Sequence, residues 1–527
     1  MLRCHTYAFS FFIAMEEKDW FRLKKYPHIG LPLDLKDRLW VEEYVMDTQK
    51  VKSHSFYPFI HRNISQRKFR RAINSKGIKS IERSISYKSR EVYYANHLDS
   101  CIYSYYSQIL DIGYERILKK SPINNSITAY RRVKLNETTN SRNKCNIDFA
   151  NDIFEHIKKN SDKNLVAITF DIKSFFDNLD HQILKKAWAK TLNKNYLPNH
   201  HFSVFRNLTK FSYIEFDDIF NLFQNRILVK DKNSKIKCLN IPRVDLLKEK
   251  KSVAFCDKRD FSEIKNNNLI RSNKRVKEKD GSYSLRKKGI PQGSPISAVL
   301  ANIYLLDFDE KIHSFIDNLN GIYQRYCDDM VVIVEESEKD SVIKKFTKEI
   351  ANYKLEIQHP KTQVYLFKNY NGKYGCKEMN LTTGQLSSNN KFDYLGFSFD
   401  GTNVYLKSSG ISKYYRKMKR SINRGGFYAK YGSNKTPKLF KNRLYKRFTY
   451  IGANRRTVYK KNPQNKDEWI PTNKYDWGNF LTYVELAENI FKNGKIKRQL
   501  RNSWKNFHGL ISIKEKEIEK FHSEEIK

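Results

Sequence analysis

Gly321-Ile322-Tyr323-Gln324-Arg325-Tyr326-Cys327-Asp328-Asp329-Met330-Val331-Val332-Ile333-Val334 is the stretch on which the fold turns. From Ile322 to Val334, two largely apolar strands are broken by Cys327-Asp328-Asp329, the pattern of a tight hairpin with acids at its tip. Upstream, Leu165-Val166-Ala167-Ile168-Thr169-Phe170 is a short apolar run of the buried-strand kind, ending at Asp171. That carboxylate projects at the mouth of a sheet. Between the two lies Pro295, which a first helical turn tolerates, followed at helix spacing by Ile296, Val299, Leu300, Ile303 and Leu306. Beyond the hairpin, Ser337–Tyr353 reads as an amphipathic helix. Val364–Phe367, Tyr394–Phe399 and Asn403–Leu406 read as short strands. A centre of mixed strands and helices from about 160 to 400 makes the class α+β.

The acids stand in a very basic chain. Its 527 residues are long enough for about two to four domains. Lys plus Arg is 99 and Asp plus Glu 57, a formal net charge of +42 spread over most of the length. Such a field favours a polyanion, nucleic acid before anionic membrane. With 33 Tyr and 34 Phe the chain is too aromatic for a disordered basic tail. Three carboxylates gathered in one place would repel one another unless a cation joined them, and hard divalent ions take oxygen ligands. Two such ions about 3.5–4 Å apart stabilise the attacking and leaving oxygens of phosphoryl transfer. Adjacent aspartates also occur in ordinary turns, where they cap backbone N–H groups.

The seven cysteines are scattered, odd in number and never in a C-x-x-C pair, which argues against a zinc ribbon or a secreted disulfide framework and for a reducing cytoplasm. No apolar run approaches a membrane span. Tyr7–Met15 is apolar but short, and either Met1 or Met15 fits as the start.

Tyr326-Cys327-Asp328-Asp329 resembles the Y-x-D-D signature of reverse transcriptases. Phe170-Asp171-Ile172-Lys173-Ser174-Phe175-Phe176-Asp177 is similar to their first catalytic motif, and Gly289-Ile290-Pro291-Gln292-Gly293-Ser294-Pro295-Ile296-Ser297 to the PQG-S motif between the two. Lys361-Thr362 and Tyr394-Leu395-Gly396-Phe397 match the next two motifs in order. The series is prokaryotic in flavour, like group II intron and retron enzymes. Ala129-Tyr130-Arg131-Arg132, Asn146-Ile147-Asp148-Phe149-Ala150 and Tyr26-Pro27-His28-Ile29-Gly30-Leu31-Pro32-Leu33 resemble the defence-associated, abortive-infection-like branch.

The resemblance implies a right-hand polymerase. It places a helical amino-terminal extension and the start of the fingers at 1–120, fingers and palm at 121–400, and a basic helical thumb with a carboxy-terminal extension at 401–527. Residues 182–288, polar and weakly periodic, read as an insertion or mobile lobe. It further implies that Asp171 and Asp328 bind two Mg²⁺ ions (Mn²⁺ as a substitute), with Asp329 supporting and the Ile172 carbonyl assisting. Phe176 falls where a ring blocks a ribose 2′-hydroxyl, or is a core aromatic. Gln292 would contact the incoming nucleotide and Gly293 would let the backbone approach the nascent base pair. Arg131 and Arg132 align with a position that grips triphosphate. Lys361 would neutralise pyrophosphate, or is a surface lysine. Cys327, where alanine or valine is usual, packs as a small hydrophobe without a redox role.

Lys413, Tyr415, Arg416, Lys417 and Arg420 on one thumb helix, with Arg443, Lys446, Arg447, Arg455 and Arg456 after it, are the expected RNA contacts. The expected function is RNA-directed DNA synthesis on a dedicated non-coding RNA, in antiphage defence, by an enzyme open to homo-oligomerisation. Retron-type synthesis, intron maturation, and primer-independent or protein-primed synthesis of homopolymer or repeat DNA are the alternatives.

Overall fold

The structure, a computed structural model, describes residues 19–525 except 74–78, 137–141, 232, 278–279, 382, 388, 390, 433–437, 454–456, 463–464, 466–467 and 476–477. Met1, Tyr7–Met15, Arg455 and Arg456 of the reading above lie outside the described residues.

After the short strand His28–Ile29 the amino-terminal region forms the helices Arg38–Met46 and Thr48–Ser53, but the aromatic and basic residues that follow are not helical. Phe59–Asn63, Gln66–Ile73, Lys79–Lys88 and Glu91–Tyr94 are strands, and helix returns only at His97–Lys119. Alternation decides this. Phe59 packs in the main core and Ile60 in a separate cluster, the two-residue period of a strand.

Nor is 182–288 a detached lobe. Ser212–Glu215 pairs in parallel with Phe59–Asn63, and Ser252–Cys256 in parallel with His28–Ile29. Two four-stranded sheets are thereby woven from both parts of the chain. Leu184, Trp188, Val204 and Leu208, on the helices His181–Thr191 and Asn199–Thr209, belong to the main core.

The central sheet has five antiparallel strands in the order Ile322–Tyr326, Asp329–Glu335, Leu165–Asp171, Gln363–Tyr370 and Lys373–Met379. Val166, Ile168, Phe170, Met330, Val332 and Val334 face one core. Leu165, Ala167, Val331 and Ile333 face another. Both faces are covered, which is why these strands read as unbroken apolar runs. On the first face Lys339–Asn352 buries Val342, Phe346 and Ile350 at helical spacing, and Phe346 stacks on Phe170 at 4.2 Å. On the second lie the helix Asn146–Lys159 and a small sheet of Phe392–Tyr394, Phe397–Phe399 and Val404–Leu406. The turn Leu395-Gly396 of that sheet has positive φ at both residues, 43° and 94°, as a two-residue hairpin requires.

The carboxy-terminal lobe is led by the long helix Ser408–Tyr431 and closed by Ser503–Glu525. Between them it carries a strand pair, Thr457–Lys461 with Trp469–Tyr475, where the sequence suggested helices throughout.

Three buried imidazoles tie the molecule to neutral pH. The His201 Nδ1 accepts from the Trp188 indole at 3.2 Å and the His28 Nδ1 accepts from the Ile29 N–H at 2.8 Å. Both bonds hold the ring to its neutral form, and His97 is buried with no partner among the described residues on either ring nitrogen. Burial depresses His28 and His201 to about 3 and His97 to about 4. The unfolded chain therefore binds more protons below its ordinary pKa of about 6.5, and stability falls as the pH falls through that value. Each imidazole costs roughly 2 kcal/mol by pH 5. Thermal unfolding measured from pH 7.5 to 5 should show this slope. His201→Phe, which removes one titration, should flatten it, and an unchanged slope would assign the acid lability elsewhere.

Candidate active site

Asp171 ends its strand directly opposite Asp329 in the antiparallel register, and Tyr326 pairs with Asp329 across the hairpin. The turn is therefore only Cys327-Asp328, and Asp329 already belongs to the second strand. Protein packed around Asp329, then the charges of Asp328 and Asp171, push its carboxyl up to about 6, while Lys407 and Lys361 pull the other way. The Asp329 side chain nevertheless reaches solvent, so the repulsion among the three acids is the part that bears on chemistry. Lys361 places its ammonium 2.9 Å from the Asp171 Oδ2. As placed, the acids form no ready-made chelate, since no group of three His, Cys, Asp or Glu side chains among the described residues stands at metal-holding spacing. The donor set is nevertheless all carboxylate oxygen, mutually repelled and already drawing one cation, which suits a hard divalent ion.

The hairpin tip is held by residues that sequence reasoning did not single out. Cys327 has φ +63°, a conformation costly for any side chain. Its carbonyl accepts from the Arg325 Nη1 at 3.2 Å, and its buried thiol receives the Tyr130 hydroxyl at 3.4 Å. Arg325 is wholly buried and clamps Asp309 with Nε to Oδ1 at 2.8 Å and Nη2 to Oδ2 at 2.6 Å. Asn302 also accepts from it, and the Tyr323 hydroxyl donates to Asp309. Burial alone would lower the guanidinium pKa, but the Asp309 charge and hydrogen bonds more than offset that. The available signal was an arginine inside the strand that leads into the acid hairpin.

The Pro291-Gln292-Gly293 loop is pinned on two sides. Ile290 N–H donates to the Phe176 carbonyl at 3.0 Å, and Tyr93 N–H donates to the Gln292 carbonyl at 2.8 Å. Gly293 has φ +112°, and a Cβ there would stand 2.9 Å from the Tyr93 carbonyl oxygen. The glycine thus lets a strand of the amino-terminal lobe approach, where the sequence suggested a base pair. Gly293→Ala should lose about 1–2 kcal/mol of stability, as positive-φ strain of order 1–3 kcal/mol implies, and should raise the KM for nucleotide. Wild-type values of both would show that the loop yields freely. Phe176 is half-buried, 5.5 Å from Phe175 and packed on the main core. Ile172 is buried and bridges to Ile357.

Arg131 is not free to grip a triphosphate. Its side chain is 3% exposed, Nε and Nη2 clamp Glu115, and the remaining donors go to Asn124 and the Ile127 carbonyl. All five N–H groups are spent inside the protein. Its neighbour Arg132 is exposed. The related flank at Asn146 is likewise structural, its amide donating to the Leu395 carbonyl and the Tyr483 hydroxyl. In the carboxy-terminal lobe Lys413, Lys417 and Arg447 line one cavity of about 460 Å³ with Tyr414 and Phe480. Arg416 and Arg420 are exposed, and Tyr415 is half-buried against the lobe's own core, a packing position more than a stacking platform.

Residues 239–399 match the family described as Reverse transcriptase (RNA-dependent DNA polymerase). A reverse transcriptase domain is present. The match supports RNA-directed DNA polymerase activity, and this family uses divalent metal ions. The matched span holds the Gln292-Gly293 loop, the acid hairpin, Lys361 and Tyr394–Phe397; Asp171 lies before it and joins through the register with Asp329. No curated protein matches. Among solved structures, apo telomerase from Candida Tropicalis is similar at 16% identity and a TM-score of 0.35, over 78% of this chain and 61% of that one. Telomerase from Candida albicans in complex with a TWJ fragment of telomeric RNA is similar at 14% identity and a TM-score of 0.33, over 76% and 56%. The chain spans about three fifths of the telomerase chains it matches. Among the described residues no helix is long and apolar enough to cross a membrane.

Proposed function

We propose that the chain is a right-hand polymerase that copies a dedicated non-coding RNA into DNA by two-metal nucleotidyl transfer, in defence against phage. The carrying observation is the register that sets Asp171 opposite Asp329 at the end of the acid hairpin. Fingers then comprise the woven amino-terminal sheets, palm the five-stranded sheet, and thumb the lobe from about residue 401. Asp171, Asp328, Asp329 and the Ile172 carbonyl would hold the ions, with Mg²⁺ preferred by an all-oxygen donor set. Bound there, the ions supply a lowered pKa for the primer 3′-hydroxyl and charge for the departing pyrophosphate. Lys361, already at Asp171, is placed to neutralise pyrophosphate. Phe176 offers a half-buried ring against a ribose 2′-hydroxyl, favouring deoxynucleotides. Gln292 contacts the incoming nucleotide from a loop fixed to Tyr93. Arg132, not Arg131, remains as the triphosphate contact on that segment. Lys413, Lys417 and Arg447 take backbone phosphates, which makes binding strongly salt-dependent.

Sequencing both RNA and DNA that co-purify with the protein tests this reading. One abundant small RNA with complementary DNA, the DNA absent from an Asp328→Ala/Asp329→Ala variant, is the expected result. Intron RNA without DNA would replace it with a maturase. Tyr450 and Tyr459 are 60% and 54% exposed, so DNA covalently attached to tyrosine would establish the protein-primed reading.

A further inference from the structure

On the strand Glu91–Tyr94, Tyr93 turns toward Gly289 and Ile290 beside the nucleotide loop. Successive side chains of a strand point to opposite faces, and Tyr94 lines a separate cavity of about 810 Å³. None of the residues assigned above to catalysis or nucleotide contact lines it. One wall comes from the amino-terminal third and the other from 182–288.

Its chemistry is specific. Tyr26, Tyr94 and Phe216 give it aromatic walls, with Tyr26 and Tyr94 locked edge to face at 4.8 Å. Arg62 lays its guanidinium over the Phe216 ring at 4.4 Å, a planar cationic shelf. Lys25 and Lys248 add two further cations against the single acid Asp245. Among the described residues none of these three cations makes an ion pair. Ser252 is 8% exposed, and its hydroxyl, on the cavity lining, has no hydrogen-bond partner among the described residues. An unsatisfied buried hydroxyl costs about 1–3 kcal/mol unless something supplies its bond.

We propose that this cavity binds a nucleotide, separately from the catalytic acids. The base stacks on the aromatic wall and the Arg62 plane, the phosphate meets Lys25 and Lys248, and Ser252 supplies a hydrogen bond to base or sugar. A purely apolar ligand would strand three cations and the hydroxyl. The volume lies within the range of about 300–1,000 Å³ typical of small-molecule sites, ample for one mononucleotide. The same chemistry serves an unpaired nucleotide of a bound RNA or a free nucleotide.

Photolabelling of the full chain with 8-azidoadenosine triphosphate, in EDTA to suppress divalent-dependent binding at the catalytic acids, tests the site. Label should map to the peptides holding Tyr26, Tyr94 or Phe216. Arg62→Ala/Lys248→Ala should cut it at least tenfold while the chain stays cooperatively folded, because both side chains are exposed and only the Arg62 contact with the Phe216 ring is lost. The same variant should extend a supplied primer–template at the wild-type rate, so failure of the polymerase reading and failure of this site are read separately. Competition by an eight-nucleotide single-stranded RNA well below the concentration needed of ATP would identify RNA as the source of the nucleotide. Competition by ATP alone would identify the free nucleotide. Label confined to other peptides, or unchanged in the double variant, overturns the proposal.

Discussion

Asp329→Asn should abolish primer extension, lowering kcat on the order of a thousandfold, the scale for losing a group aimed at charge in the transition state. Asparagine keeps the shape and one acceptor but removes the charge opposite Asp171. The sign of the stability change separates a catalytic from a structural role. The raised pKa of Asp329 means that its charge, still carried at neutral pH, costs more in the folded chain than in the unfolded one. A neutral isostere relieves that repulsion, so the variant should unfold at the wild-type temperature or slightly above it. Single-nucleotide incorporation and thermal unfolding, on the same preparation, give both readings. Activity within tenfold of wild type would remove Asp329 from the chemistry. Lost activity with a lowered unfolding temperature would make it a structural residue.

Arg325→Met should have the largest effect on stability. It leaves Asp309 as an uncompensated buried charge, a change of about 3–5 kcal/mol. Adding Asp309→Leu should restore much of that, because an apolar pair of similar volume is often as stable as a buried ion pair. DNA synthesis should not return with it. The methionine cannot donate to the Cys327 carbonyl, and the turn at φ +63° loses the bond that holds Asp328 in place. Denaturant unfolding alongside primer extension separates the two effects. Full activity in the double variant would show that the arginine only fills the core.

How much of this was legible in the sequence follows from how each element is buried. Leu165–Asp171 and Asp329–Glu335 are covered on both faces, so their apolar runs and terminal acids stand out without any knowledge of their partners. The short strands of the amino-terminal lobe do not. Ser212–Glu215 is a strand because Phe59–Asn63 lies beside it, and no local pattern of four residues can announce a partner so remote. Arg131 shows the other limit. Its neighbours suggested a triphosphate contact, and only the fold reveals Glu115, sixteen residues earlier, as its partner. Arg325 was visible as a charge in the strand before the acid hairpin, but its meaning depended on Asp309 occupying a buried position of the helix Leu306–Asp317.

The woven amino-terminal sheets also govern the order in which the molecule can be made. His28 pairs with Ala254, so 226 residues (254 − 28) must be added before its strand has a neighbour. At translation rates of roughly 5–20 residues per second, that wait is roughly ten to forty-five seconds on the ribosome. Ile29 and Ile60, buried in a cluster otherwise built from residues between Ile214 and Ile264, spend much of it without that cover. Slowing synthesis lengthens that exposure and does not help the nascent chain to fold. Soluble yield should therefore respond more to chaperones that shelter emerging apolar strands than to slower elongation, and a fragment ending before residue 212 should aggregate.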